Sequence, residues 1–182
     1  MRQLVLQMSM SLDGYVLGPD GRHDWVFPAF EEEIGKWNLE TLERAGVHAM
    51  GSVTYKEMTE AWPGSDSPIA VQMNDKPKVV FSRTPIDTPW GEVSVASGDL
   101  ADEVARLKAE PGGDILVFGG YTLAQALTRA RLVDEYRLQI RPVALGSGEP
   151  MFRDLERGQR LELVDCTPYP DGSVISVYRK PS

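Results

Sequence analysis

An α/β protein with a mixed, mainly parallel sheet is the fold class this sequence predicts, and three observations carry the prediction. Short apolar runs of strand length alternate with segments whose apolar residues recur at helical spacing, the pattern of parallel βαβ units. Toward the carboxyl end, "VDEYRLQIRPVAL", "RLELVDCTPY" and "SVISVYRK" follow one another with turns and no helix between them, which adds antiparallel strands. Finally, "AMGSVTY", "VVFSRT" and "LVFGGYT" are apolar strands that end in small or polar residues. In an open α/β sheet such strand ends are where ligands collect.

Taken in order, Leu4, Leu6, Met8 and Met10 alternate with Val5, Gln7, Ser9 and Ser11, a period of two that predicts a first strand. Gly14, Gly18, Pro19 and Gly21 then mark a long loop. Phe30, Ile34 and Trp37 share a helix face, and Gly46 is placed to end that helix. "VHAM" reads as a strand closed by Gly51. Thr54 and Glu57 have capping-box spacing, so a short helix is expected to start between Ser52 and Thr54. Residues 62–77, rich in Pro, Ser, Gly and Asp, read as a surface excursion. "KVVFS" and "EVSVA" are further strands, and Asp99 can cap a helix carrying Leu100, Val104 and Leu107. "DILVF" is the next strand, and Leu123, Ala126, Leu127 and Ala130 line the helix after it. Gly146-Ser147-Gly148 reads as a turn.

The 182 residues suffice for one domain over 1–182, with no seam or repeat. A net charge of −8 without any Lys/Arg block argues against a nucleic-acid partner. Cys166 stands alone, and His23 and His48 lack ligand spacing, so neither a disulfide nor a metal site is expected. The start is too short and polar for a secretory signal, and no apolar stretch reaches membrane-spanning length, so a cytoplasmic protein without a membrane partner is expected.

Helix N-termini offer unpaired N–H groups and partial positive charge, which suit phosphate. Gly51 before Ser52, and Gly119-Gly120 before Thr122, each permit a close approach; each also reads as an economical strand-to-helix turn. No G-x-G-x-x-G is present, so the standard dinucleotide fingerprint is absent. Arg83 can hold a phosphate through two parallel bonds, or be a surface arginine at a loop start. Asp13 is the candidate acid: burial and a raised pKa would make it a proton donor, whereas in a turn Asp often bonds backbone. Trp25 and Trp37 are candidates for an aromatic wall against a flat heterocycle, with Trp37 also continuing a helix face. Tyr55 and Met58 are candidates to line the same pocket or to pack. Glu31, Glu32 and Glu33 form an acidic helix start, favourable to the helix dipole.

"SMSLDGYVLGPDG", "GSVTYKEM", "VVFSRT", "DILVFGGYTLAQAL" and "LVDEYRLQIRPVALGSGEPMF" occur in this order. As an ordered set they resemble the dihydrofolate reductase superfamily, most of all its branch with the riboflavin-biosynthesis reductase (RibD) C-terminal domain. The resemblance covers nearly the whole chain and implies a three-layer α/β/α fold with an antiparallel C-terminal pair. It implies NADPH lying across the strand ends. Gly51, Ser52, Val53 and Thr54 would receive phosphate, and Ser82 and Arg83 would hold the adenosine 2′-phosphate. Gly119, Gly120, Tyr121, Thr122 and Leu123 would lie against nicotinamide and pyrophosphate. Ser9, Asp13 and Val16 would fall in the first strand and the mobile loop beside the nicotinamide. The implied activity is hydride transfer to a small heterocycle, either a ribosylaminopyrimidine of the riboflavin pathway or a pterin such as dihydrofolate, in a homodimer.

Two departures bear on this. Ser52 stands where many members carry Arg after the Gly, and none of Glu31, Glu32, Glu33, Glu40 or Glu43 matches the acid that dihydrofolate reductases carry on the first helix. They keep open a second reading, a nucleotide-binding module that retains the fold without the reaction. The zinc deaminase domain of the bifunctional riboflavin enzymes needs H-x-E and P-C-x-x-C, which a chain with one cysteine cannot supply, so a stand-alone reductase is expected.

Overall fold

The computed structural model describes residues 1–26 and 32–181. Phe30 and Glu31, and the side chain of Glu32, lie outside the described residues. The first half of the chain forms β1 (Leu4–Ser11), β2 (Tyr15–Leu17), a 3-10 turn (Asp24–Val26), α1 (Glu32–Arg44), β3 (Ala45–Gly51), α2 (Ser52–Ala61) and α3 (Pro68–Asp75). It continues with β4 (Lys78–Phe81), β5 (Val93–Ala96), α4 (Leu100–Ala109), β6 (Asp114–Phe118) and α5 (Tyr121–Arg129). The carboxyl end supplies β7 (Glu135–Arg141), β8 (Glu149–Pro150), β9 (Glu162–Pro168) and β10 (Val174–Arg179).

Eight strands form one sheet in the order β5-β4-β3-β6-β1-β7-β10-β9, and β2 pairs with β8 in a small second sheet. The strands from β5 to β7 are mutually parallel, while β10 runs antiparallel to both β7 and β9. This is the mixed α/β sheet with antiparallel carboxyl-terminal strands that the sequence predicts. Its period of two sorts β1 between two cores. Leu4, Leu6 and Met8 pack with Val104 and Leu107 of α4 and Leu123 and Leu127 of α5. Val5 faces the other way, with Leu42 of α1, Tyr55 of α2 and Met73 of α3. The sheet is therefore the middle of three layers. No described helix is long and apolar enough to cross a membrane.

Three local expectations are corrected. Gly46 does not end α1, which stops at Arg44; it lies inside β3, where a Cβ would sit 2.6 Å from the backbone N of Gly113. Glycine there allows two backbones to touch. The Thr54/Glu57 capping box does not form, because α2 begins at Ser52 with Gly51 as its N-cap and no side-chain cap. Residues 62–77 are not all excursion: Pro68 at the first turn and the Ser67 hydroxyl, which accepts from Ala70 N, start α3, and Ala70 and Met73 are buried.

Candidate functional site

From β3 the chain leaves through α2 toward β4, and from β6 it leaves through α5 toward β7, on the opposite side in the sheet order. The connections diverge between β3 and β6, which makes their carboxyl ends a topological switch point, where open α/β sheets form their ligand crevice.

The glycines at these two strand ends serve different purposes. Gly51 has φ −80 and ψ 164, angles any residue adopts, and a Cβ on it would meet nothing within 4 Å. The fold therefore has no internal need of glycine at 51, and the space it leaves faces outward. Gly119 has φ +75 and also opens on empty space. Its N–H donates to the Gln7 carbonyl at 3.2 Å, seating the turn beside β1. Gly120, at φ +77, is the N-cap of α5, and a Cβ there would fall 2.6 Å from Thr54 Oγ1. Gly120 thus lets the start of α5 touch the first turn of α2.

As a result two helix beginnings abut, and neither α2 nor α5 has a side-chain cap. The contrast with α3 and α4 is informative, because Ser67 and Asp99 cap those helices through their side chains. The leading N–H groups of α2 (Ser52, Val53, Thr54) and of α5 (Tyr121, Thr122, Leu123) therefore converge on one crevice with the positive ends of both helices. Val53 is 70% exposed and Thr122 is exposed, while Tyr121 and Leu123 turn their side chains into the core and offer the crevice only backbone. At the end of β4, Ser82 N donates to Ala96 O at 3.1 Å and Ser82 Oγ donates to Thr84 O at 2.8 Å, which fixes the turn. Arg83, next in line, is exposed and has no hydrogen bond or ion pair among the described residues. Uncapped amides, two outward openings and an unengaged guanidinium suit the phosphates of a dinucleotide.

Asp13 takes a different role from the one expected of a proton donor. Its carboxylate is exposed and accepts from Ser11 Oγ at 2.6 Å, Gly146 N at 2.7 Å and Leu145 N at 3.1 Å. These bonds, the Ser11 hydroxyl first, lower its pKa to about 2, so it stays ionised. The loop after β1 is pinned further where Leu12 N donates to Val143 O at 2.7 Å and Met151 N to Gly14 O at 2.9 Å. Val16 is buried in the core beneath it.

Tyr55 does not line a pocket. It is 2% exposed, its hydroxyl accepts from Trp90 N at 2.9 Å, and its ring lies 5.9 Å from that of Trp90. Met58 packs half-buried against the same core. Trp25 sits half-buried in the 3-10 turn with its indole Nε1 buried and unpartnered, and no described ring contact or hydrogen bond brings it to the glycine crevice. Trp37 packs instead under the Arg137 guanidinium, 5.5 Å from the ring centre. Glu33, Glu40 and Glu43 are exposed on α1.

Sequence reasoning missed a polar band under α1. β1 and β7 pair in register as Gln7↔Arg137, Ser9↔Gln139 and Ser11↔Arg141, so six polar side chains share one sheet face. Gln7 Nε2 donates to Asn38 Oδ1 at 2.5 Å, Arg137 donates to Thr41 Oγ1 at 2.6 Å, and Ser9 Oγ donates to Gln139 Oε1 at 2.9 Å. The signal was present as polar residues at alternate positions in two otherwise apolar strands.

The RibD C-terminal domain model matches residues 2–175. The uncharacterized protein YyaP of Bacillus subtilis (strain 168) is 29% identical over 181 residues, 97% of this chain and 94% of that protein. A crystal structure from Shewanella sp. PV-4, of a protein assigned to riboflavin biosynthesis, is 26% identical with a TM-score of 0.79 and coverage of 99% of both chains. Dihydrofolate reductase from Enterococcus faecalis, in complex with NADP(H) and RAB-propyl, shares the fold at 13% identity and a TM-score of 0.65, over 99% of this chain and 97% of that one. With a family model covering nearly its whole length, this chain belongs to the RibD C-terminal domain family.

Proposed function

We propose that the protein is a single-domain, cytoplasmic, NADPH-dependent reductase of a small heterocycle, either a ribosylaminopyrimidine or a pterin such as dihydrofolate. The observation that carries this reading is the pair of abutting, uncapped helix N-termini at the β3 and β6 ends, with a glycine at 51 that the fold itself does not need. NADPH, when bound, supplies the hydride. The chain's part is binding, orientation and exclusion of water. The amides of Ser52, Val53 and Thr54 and those opening α5 hold the phosphates, and Gly51 and Gly119 leave room for them. Arg83, with Ser82 shaping its turn, holds the 2′-phosphate through charge-assisted bonds. The loop carrying Asp13 and Val16 is held closed over the end of β1 by the Asp13 carboxylate. Because that carboxylate stays ionised, Asp13 is not the source of the proton that accompanies the hydride.

Fluorescence titration with NADPH and NADH tests the reading. NADPH is expected to bind at least about tenfold more tightly than NADH, and Arg83→Ala to abolish the difference. Binding of neither cofactor at millimolar concentration sinks the proposal. A second reading, a nucleotide-binding module without the reaction, is favoured by Ser52 and by the lack of a residue on α1 that matches the first-helix acid of dihydrofolate reductases. NADPH binding without consumption in the presence of pyrimidine and pterin substrates would select it. The proposed assembly is a homodimer through the late strands. The edge strand β9 is exposed along most of its length, with Leu163 at 56% and Val164 at 47%, and sedimentation velocity reads out the association.

A further inference from the structure

On the α5 side of the sheet, across from the polar band under α1, lies a cavity of about 320 Å³ over the late strands. β1 and β7 pair as Met8↔Leu138 and Met10↔Ile140, which brings Met10, Leu138 and Ile140 together as its floor. Tyr178 of β10 joins them, and Phe152 and Leu155, from the stretch after β8, line it as well. No lining residue carries a charge, and Gln159 brings the carboxamide.

The period of two along β7 sets Tyr136 on the same face as Leu138 and Ile140, where the floor ends toward the start of the strand. Its ring lies 6.0 Å from that of Phe152. Its hydroxyl is close to both Thr128 and Gln159. Yet Tyr136 Oη, Thr128 Oγ1 and Gln159 Oε1 are all buried and make no hydrogen bond among the described residues. Tyr136 is 0% exposed and Thr128 1%, so bulk water does not serve them. Burial raises the Tyr136 pKa, which keeps the hydroxyl neutral and able to donate. Buried polar atoms are normally paired, and two hydroxyls beside a carbonyl oxygen match a bound group that both accepts and donates.

Gln159 is held at this spot by a tether. α5 ends with Arg131 N donating to Thr128 O and Leu132 N to Leu127 O, a Schellman turn with Arg131 at its C′ position and φ +56. Glycine is the easier residue there, but only a long donor reaches across. The Arg131 guanidinium donates to the carbonyls of Arg157 and Gly158 at 3.4 Å each. The contact anchors the segment carrying Gln159 beside the end of α5, and it engages Arg131 with carbonyls rather than with an anion.

We infer that this cavity binds a small neutral aromatic alcohol, whose hydroxyl accepts from Tyr136 or Thr128 and donates to Gln159 Oε1. Two aromatic rings and the Met10 thioether among the walls favour a flat ring. A carboxylate would oppose the Gln159 oxygen, and a bare ring would leave the polar atoms unpaired. The inference does not depend on the reductase reading. Wild type, Gln159→Leu, Tyr136→Phe and Leu155→Trp are titrated by fluorescence with 2-naphthol, naphthalene and 2-naphthoate, with and without NADPH. Melting temperature and sedimentation velocity are recorded for each. Wild type is expected to bind 2-naphthol at least about tenfold more tightly than either other ring. Gln159→Leu is expected to lose about tenfold for 2-naphthol and to keep its affinity for naphthalene. Tyr136→Phe is expected to lose a few-fold at an undiminished melting temperature, since its hydroxyl has no partner to give up. Leu155→Trp fills the cavity and should abolish both. If Tyr136→Phe or Leu155→Trp fails to fold, Gln159→Leu carries the test. Equal affinity for naphthalene and 2-naphthol, tighter binding of 2-naphthoate, or displacement of 2-naphthol by NADPH overturns the inference. So does a wild type that binds no 2-naphthol; loss of self-association in Leu155→Trp would then give this face to a second copy of the chain.

Discussion

Gly51 and Gly120 each precede a helix at the crevice, yet they respond to different forces. Gly51 has ordinary angles and open space, so Gly51→Thr supplies an N-cap hydroxyl and fills the opening without internal conflict. We expect stability within about 1 kcal/mol of wild type by chemical denaturation and at least about tenfold weaker NADPH binding by titration. Gly120→Ala behaves in the opposite sense. It forces a side chain to φ +77 against Thr54 Oγ1, and should cost about 1–3 kcal/mol of stability. Adding Thr54→Ala should recover part of that loss, and its failure to do so would show that backbone strain alone is responsible. For Asp13 the expected phenotype is a loosened loop. Asp13→Asn keeps one acceptor oxygen but turns an N–H pair toward the Leu145 and Gly146 amides. Limited proteolysis should cut residues 12–18 faster, while the acid limb of the activity profile stays where it is; a shifted acid limb would restore Asp13 as a proton donor.

The elements that sequence patterning exposes are those whose local chemistry agrees with their packing. β1, β6 and α5 have unbroken apolar periodicity, and Asp99 accepts from Ala101 N at 2.9 Å as a cap should. α3 is hidden because Ser67 and Pro68, its cap and first residue, sit in a stretch whose composition reads as loop. We expect Ser67→Ala to cost about 1 kcal/mol in a denaturation experiment, an effect a true surface loop would not show. β2 and β8 are bridges of three and two residues, too short for any period to register. The glycine-lined crevice itself was legible for a physical reason: close backbone approach requires glycine, and glycine is visible in a sequence. The polar band under α1 was not, since Gln7, Ser9 and Gln139 share a face only when the register sets β1 beside β7.

Across the whole molecule, one titration belongs to the buried sheet rather than to the crevice. His48 in β3 is 1% exposed, its Nε2 lies 3.3 Å from Gln72 O, and its Nδ1 has no partner. Burial, with Lys78 and Lys76 nearby, lowers its pKa from 6.5 to about 4. The unfolded chain therefore binds a proton between those values that the folded chain refuses. Stability should fall as pH drops from about 6.5 to about 4, by about 3 kcal/mol, and then flatten for this group. His48→Gln should remove that portion of the slope in denaturation midpoints measured across the window. The sheet order has a different consequence, for biosynthesis. β1 lies in the interior of the sheet, and its two neighbours are β6 and β7, which begin at Asp114 and Glu135. During synthesis β1 thus carries two open edges until β6 and β7, more than a hundred residues further along, have followed it. Parallel pairings over such separations close slowly. With Leu4, Val5 and Leu6 side by side on an unpaired strand, a truncated product ending before β6 is expected to aggregate.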